Sequence, residues 1–285
     1  MAIWVAIILG IIQGIFMFFP VSSTSHLALA QHFFIWAGQE LPAPDSAEMI
    51  LFDLVVHVGT LVSIAVVFRN SLGRFIRDAW RGFLAVAGGA PSPKDKLFVK
   101  LTMLGLFSVA VTGFIGIPMK THFETVFAHP ILISVTLTIT GLLLWWTDIL
   151  PERKIGLRQI GIIVALAIGV GQGLALIPGL SRSGLTIAFA LFAGLKRRWA
   201  AEYSFFIAIP TILGATLLQV GEMISYGDPI TIGFPALAIG FVVSAIVGIG
   251  ALYLVVHMLY KAQFRFFAYY VWILALGILT NHFFV

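Results

Sequence analysis

There is no cysteine anywhere in the 285 residues. Disulfides, thiolate metal sites and cysteine nucleophiles are therefore excluded. Charge is also scarce: Asp, Glu, Lys and Arg make up 10% of the chain, whereas hydrophobic residues make up 60%. No soluble core explains that balance, and the chain reads as a polytopic membrane protein. Long polar stretches are missing too; none exceeds about 30 residues, too few for a separate soluble domain. The start, MAIWVAIILG, has neither a basic n-region nor a small-residue cleavage site, so no removable signal peptide is expected. The net charge of +5 fits loop bias better than nucleic-acid binding, because the basic residues lie between apolar spans.

The apolar runs set the expected order. Ile3 to Phe19 reads as a first helix broken at Pro20, followed by a polar cluster and a short helix from Leu27 to Ala37. Full spans are expected over Ile50–Phe68, Leu101–Pro118, Pro130–Trp146, Ala201–Val220, Ile230–Tyr260 and Phe267–Phe284. A second broken run goes from Ile155 to Ile177 and resumes as a short helix, Gly184–Leu195. A span needs about 20 residues, so the short second helices predict two re-entrant pairs. Arg69 to Lys100 reads as the longest polar loop, within which Ser71–Phe83 has the pattern of an interfacial amphipathic helix. With both pairs re-entrant, 15 of the 17 Lys and Arg residues fall on one face, which the positive-inside rule assigns to the cytoplasm. Both termini are then outside.

One stretch organises the rest: GVGQGLALIPGLSRSGLTIAF, from Gly169 to Phe189. Here Arg182 is surrounded by Ser181, Ser183 and Thr186 and by the backbone breakers Pro178, Gly179 and Gly184. A charge at membrane depth is expensive and marks a functional site by default. A guanidinium fork with small donors suits phosphate or carboxylate. The earlier stretch GIIQGIFMFFPVSSTSHL, from Gly10 to Leu27, shares its order. Setting Gln13 on Gln172 aligns Gly10 with Gly169, Gly14 with Gly173 and Ser22 with Ser181. This predicts an internal repeat, with the first copy at about 1–147 and the second at about 155–285 of a single membrane domain. The expected fold is thus an all-α membrane protein: an inverted-topology repeat with two re-entrant pairs and about six full spans, the two broken loops meeting near the midplane.

Other residues join this site on their chemistry. His26 follows the hydroxyl cluster at a helix start and suits a general acid/base or a nucleophile. Ser22, Ser23 and Thr24 suit phosphate ligation, and Ser23 also suits a nucleophile served by His26; helix capping is the competing account. Gln13 and Gln172 line a polar cavity cheaply. Asp53 and His57, at i, i+4, share a helix face and suit a proton relay, an orienting role or a pairing with Arg182. Glu202 is a weaker supporting candidate, because it closely follows Lys196-Arg197-Arg198. His32, His122, His129, His257 and His282 lie near span ends and are assigned nothing.

These residues carry a family resemblance. Pro178 through Thr186, PGLSRSGLT, resembles the PGxSRSxxT motif of bacterial undecaprenyl-diphosphate phosphatases, the bacitracin-resistance (BacA/UppP) family. Gln13-Gly14 through Pro20–Leu27 resembles its first motif, Phe52-Asp53 with His57–Thr60 a third stretch, and Glu202–Phe206 a fourth. The resemblance implies removal of the terminal phosphate of undecaprenyl diphosphate, regenerating the lipid carrier of cell-wall glycan synthesis, by a multi-pass inner-membrane protein. It implies that Arg182 holds the diphosphate with Ser181, Ser183, Thr186 and Gly179 around it, and that His26 and Ser23 supply nucleophile and base. One position departs. The family has Glu or Gln, three residues, then Glu; here Gln13 is followed by Met17, which can neither bind a divalent cation nor carry a proton. Ser25 also stands where the family often has glycine. A magnesium or calcium cofactor is therefore an open expectation, with its ligands unknown. The expected partners are the polyprenyl diphosphate and membrane lipids, with a homodimer left open and nucleic acid not expected. A polyprenyl-phosphate flippase, or a paralogue that binds the lipid without hydrolysing it, is the alternative.

Overall fold

In a computed structural model, the described residues are 1–44, 46–123, 130–226 and 232–284; the side chains of 120–123, 130, 222, 224–226 and 281–284 are not described. His129 and the expected span start at Ile230 lie outside the described residues, and the side chains of Lys120, His122 and His282 are among those not described. Among those described, the elements are helices α1 (Ile3–Phe16), α2 (Ser23–Trp36), α3 (Ala47–Val67), α4 (Arg69–Ala87), α5 (Pro93–Phe123), α6 (Pro130–Ile149), α7 (Ile162–Leu174), α8 (Arg182–Phe192), α9 (Arg197–Tyr226), α10 (Phe234–Tyr260) and α11 (Arg265–Phe284). A 3₁₀ turn at Leu157–Gln159 and an isolated bridge, Ile155 to Leu195, lie between α6 and α9 among the described residues.

Five of these helices are long and apolar enough to cross a membrane: α3, α5, α6, α9 and α10. The expected sixth span, α11, is a helix of 20 residues, of which Arg265–Thr280 is its described apolar stretch. The helices beside the two breaks are short. α1 and α2 have 14 residues each, α7 has 13 and α8 has 11. At about 1.5 Å per residue none spans a hydrocarbon core of about 30 Å. The hydroxyl cluster expected before α2 is in fact its first turn, because Ser23–Ser25 begin the helix. The polar stretch 69–100 is not a loop; it is α4 and the start of α5. Its charged side chains alternate with outward Ile76, Trp80 and Leu84, which are more than half exposed. That is how a helix lying along a membrane interface distributes its residues. α5 continues through Pro118 instead of ending there.

Small residues decide which helices touch, as expected where lipid tails leave no hydrophobic force between spans. α1 packs on α10, and α7 packs on α5. A Cβ on Gly10 would sit 3.0 Å from the Gly240 carbonyl oxygen, and one on Gly14 2.9 Å from that of Ser244. On the other seam, a Cβ on Gly169 would sit 2.7 Å from the Ser108 carbonyl oxygen, and one on Gly173 2.8 Å from Ile115 Cβ. Hydroxyls tie the same seams: Ser108 Oγ donates to the Ala165 carbonyl at 2.8 Å and Thr112 Oγ1 to that of Gly169 at 3.2 Å. α3 is pinned to α10 by Ser63 Oγ on the Ala245 carbonyl at 2.7 Å and Ser244 Oγ on that of Val56 at 3.0 Å. The broken helices are thus walled by α10 and α5, and both breaks are delivered to one place in the core.

Candidate functional site

The two breaks touch each other. Arg182, the first residue of α8, directs Nη2 to Met17 Sδ at 3.6 Å. Ser183 Oγ donates to the Phe18 carbonyl at 3.2 Å. A Cβ on Gly184 would meet Pro20 Cβ at 3.2 Å. Phe18, Val21, Ser22, Ser181, Ser183 and Thr186 are all buried at this junction.

The second break folds as its residues dictate. Gly179 has φ +86°, the left-handed region where a side chain is strained, and a Cβ there would also run into Thr136 Oγ1. Ser181 caps α8, its Oγ accepting from the Gly184 amide at 3.2 Å. Thr186 Oγ1 donates to the Arg182 carbonyl at 2.9 Å. The three hydroxyls expected as anion ligands are therefore engaged as braces: Ser181 on its own helix start, Ser183 on the first break, Thr186 on its own turn. The first break holds strain of its own. Ser22 is non-glycine with φ 70°, which is uncommon and concentrates at functional positions. Its Oγ lies 3.0 Å from Ser25 Oγ.

The helices that meet at the two breaks carry buried polar atoms without partners. Arg182 Nη1 is buried and unbonded; so are Gln13 Nε2 and Oε1, and Gln172 Oε1. Gln172 Nε2 is satisfied by Thr112 Oγ1 at 3.0 Å and Thr211 Oγ1 at 2.9 Å, neither of which sequence reasoning selected. A buried unmet donor costs about 1–3 kcal/mol, more when charged. A guanidinium whose one contact at this end is a thioether is thus poised for an anion.

His26 is held from three sides. Its Nδ1 lies 2.8 Å from the Ser22 carbonyl and its Nε2 2.7 Å from Tyr270 Oη. A carbonyl only accepts, so Nδ1 carries a proton, and the neutral ring offers its Nε2 lone pair to the Tyr270 hydroxyl. Phe16 stacks on the ring at 4.0 Å between centroids. Neither ring nitrogen is bonded to Ser23, which is half-buried on the first turn of α2, while Thr24 beside it is exposed. Tyr270 comes from α11, 244 residues away, and no local motif announces it.

Asp53 and His57 share a face but do not pair through side chains. His57 Nδ1 donates to the Asp53 carbonyl at 2.7 Å, and the Asp53 carboxylate accepts from Gln31 Nε2 at 2.9 Å. Asp53 is thus met by Gln31, a residue the sequence did not single out, and not by Arg182. Glu202 faces elsewhere, pairing with Arg198 at 3.1 Å. The first break offers a neutral amide and a thioether where magnesium or calcium takes oxygen ligands, carboxylates foremost. Among the described residues no cluster of three or more His, Asp or Glu gathers as a metal site would. At the first break such a cation would find one amide oxygen, on Gln13, and no carboxylate.

Fold and site together define a class: an α-helical membrane protein in which two broken helices present an unpaired arginine and a clamped histidine inside the bundle. The chain belongs to the bacitracin resistance protein BacA family, whose pattern it matches over residues 6–277. It is 60% identical to an undecaprenyl-diphosphatase of Alkalilimnicola ehrlichii over 99% of this chain and 97% of that protein. It is 56% identical to an undecaprenyl-diphosphatase of Halorhodospira halophila, covering 99% and 98%. One from Carboxydothermus hydrogenoformans is 34% identical, covering 96% and 95%.

Proposed function

We propose that this protein is an undecaprenyl-diphosphate phosphatase, hydrolysing the terminal phosphoanhydride to inorganic phosphate and the monophosphate lipid carrier. The observation that carries the reading is Arg182, whose buried Nη1 has no partner where the two breaks meet. Relatives at this identity, matched end to end and bearing that name, support it.

In this reading Arg182 binds the diphosphate through the Nη1 end, and the α2 N-terminus attracts the terminal phosphoryl oxygens. Ser23, in the first turn of α2 and three residues before His26, attacks the terminal phosphorus. Its proton passes to His26 Nε2 once the Tyr270 hydroxyl yields that position. The bridging P–O bond breaks, and the lipid monophosphate leaves, its former bridging oxygen taking that proton back from His26 Nε2 so that the imidazole is neutral again. A water activated by the same imidazole then attacks the seryl phosphate, releasing inorganic phosphate and restoring Ser23. No step runs through a divalent cation, because Gln13 and Met17 do not make a site for one. Gln13 and Gln172 line the polar chamber. Asp53 and His57 stand as a positioning pair behind it.

We also read the chain as one membrane domain made of two inverted halves, about 1–147 and 155–285. The matching seams of Gly10 and Gly14 on α10, and of Gly169 and Gly173 on α5, support this. The basic loops then face the cytoplasm of the inner membrane. The same symmetry is the one feature that favours lipid movement as a second reading. Phosphate release from undecaprenyl diphosphate in detergent separates the two. The parent should be active in chelator, His26→Ala and Arg182→Ala inactive, and Met17→Glu active. No release by the parent, with release by Met17→Glu alone, overturns the hydrolase reading for this chain.

A further inference from the structure

Away from the broken helices, the bundle contains a cavity of about 770 Å³ at its basic-loop end. Its walls come from the C-terminal half of α3, the first half of α4, the start of α5 and the first half of α9, with Leu157 and Ile160 closing the floor. They are almost wholly apolar: Leu61, Phe75, Phe98, Trp199, Phe206 and Pro210 are typical. Apolar cavities of about 300–1,000 Å³ with a few convergent polar groups are the usual form of a small-molecule site.

The rim holds Arg74, Asp78, Arg198 and Glu202. Three of these charges are already matched. Lys94 pairs with Asp78 at 2.8 Å, and Arg198 pairs with Glu202 at 3.1 Å. Arg74 has no ion-pair partner among the described residues, so the rim carries one uncompensated positive charge. It projects from α4, the amphipathic helix whose outward Ile76 and Trp80 are 59% and 67% exposed. A basic interfacial helix over an apolar chamber complements an amphiphile with a negative head.

We propose that this cavity is a binding site for an anionic bilayer phospholipid, its acyl chain between α3, α5 and α9 and its headgroup at Arg74. An undecaprenyl chain is several times too long to be enclosed there, and one uncompensated guanidinium suits a monoanionic head. The site stands apart from the phosphatase reading and does not depend on it. It nevertheless touches the same core. Phe98, Phe75, Phe206, Phe68, Phe205 and Phe18 pack ring on ring, with successive centroids 5.7–6.0 Å apart, from the cavity wall to the residue next to Met17. A lipid in the cavity thus buttresses the column behind the first break.

Trp199 on the wall reports occupancy. The parent and its Trp199→Phe counterpart are placed in phosphatidylcholine nanodiscs containing brominated phosphatidylglycerol or brominated phosphatidylcholine. The Trp199 signal is the difference between the two proteins. Brominated phosphatidylglycerol should quench it about fivefold more effectively, mole for mole, the preference that one basic side chain commands at an anionic surface. Arg74→Gln should erase that preference. Gly105→Phe should remove the quenching, because Gly105 lines the cavity and a Cβ there meets only Ile207 Cγ2, at 3.8 Å. Ala65→Trp fills the same space from α3, so one misfolded variant does not decide the matter. Equal quenching by both lipids, quenching unchanged in both filled variants, or displacement by undecaprenyl phosphate at equal mole fraction each overturns the proposal. None of these outcomes bears on phosphate release, which is read separately.

Discussion

Replacing Arg182 by methionine should move stability and activity in opposite directions. The guanidinium has one contact at its forked end, Met17 Sδ at 3.6 Å, and a buried Nη1 with none. In the empty protein that group is a liability of about 1–3 kcal/mol. A thioether of similar reach packs against Met17 and removes the unmet donor, as apolar replacement of buried charge often does. For a chain of this size about 1 kcal/mol corresponds to about 2–4 °C, so the empty variant should melt a few degrees higher than the parent. With substrate the sign reverses. Two charge-assisted hydrogen bonds at about 1.5–3 kcal/mol each are lost. At 1.4 kcal/mol per decade, kcat/KM should fall by about 10²–10⁴. Melting in detergent, with and without inorganic phosphate, gives the first quantity, and phosphate release from undecaprenyl diphosphate gives the second. Phosphate should raise the melting temperature of the parent and not that of the variant. A variant that melts below the parent without phosphate, or that retains parental turnover, refutes the assignment of Arg182 as an unpartnered anion clamp.

Tyr270→Phe keeps the ring but frees His26 Nε2, and should change the pH profile of kcat/KM and lower turnover by about tenfold, within the usual range of acid–base contributions; an unchanged profile and rate would leave the 2.7 Å contact without a role in turnover. Gly14→Val should lower the melting temperature steeply, because its Cβ would stand 2.9 Å from the Ser244 carbonyl oxygen and 3.1 Å from the Gly248 nitrogen, both backbone atoms that cannot swing aside; Gly113→Ala, where nothing lies within 4 Å, is the matched control and should cost little.

The membrane class was legible because spans write themselves as long apolar runs, and the two breaks because Pro20, Pro178 and Gly179 interrupt such runs. Arg182 was legible for the same reason, as a charge where charge is expensive. The bonds its neighbours make were not. Ser181, Ser183 and Thr186 read as anion ligands, yet their hydroxyls bond a helix start, the Phe18 carbonyl and the Arg182 carbonyl. Spacing in sequence places a hydroxyl near a site but does not say which backbone group reaches it first. Tyr270 was invisible, because a contact across the whole chain leaves no local pattern. Glu202 pairs with Arg198, as its place just after the basic cluster Lys196-Arg197-Arg198 suggested. In the stretch 69–100 the interfacial helix was legible from the alternation of Arg74, Arg77 and Arg81 with Phe75, Ile76 and Trp80, and α4 covers it; the start of α5 at Pro93 was not, because its first turns are too polar to resemble a span.

The glycine seams bear on how the chain is made. α1 is among the first segments to leave the ribosome, and the helix that seats Gly10 and Gly14 is α10, roughly 230 residues later. At about 5–20 residues per second, the first broken helix waits on the order of ten to forty-five seconds for its wall. α7 finds α5 already synthesised and has no such delay. During that interval α1 lacks the wall that Gly240, Ser244 and Gly248 supply in the finished bundle. A ribosome stalled before Phe234 would therefore leave a chain with one finished break and one open one, and that unfinished end is where quality-control proteases would first gain hold.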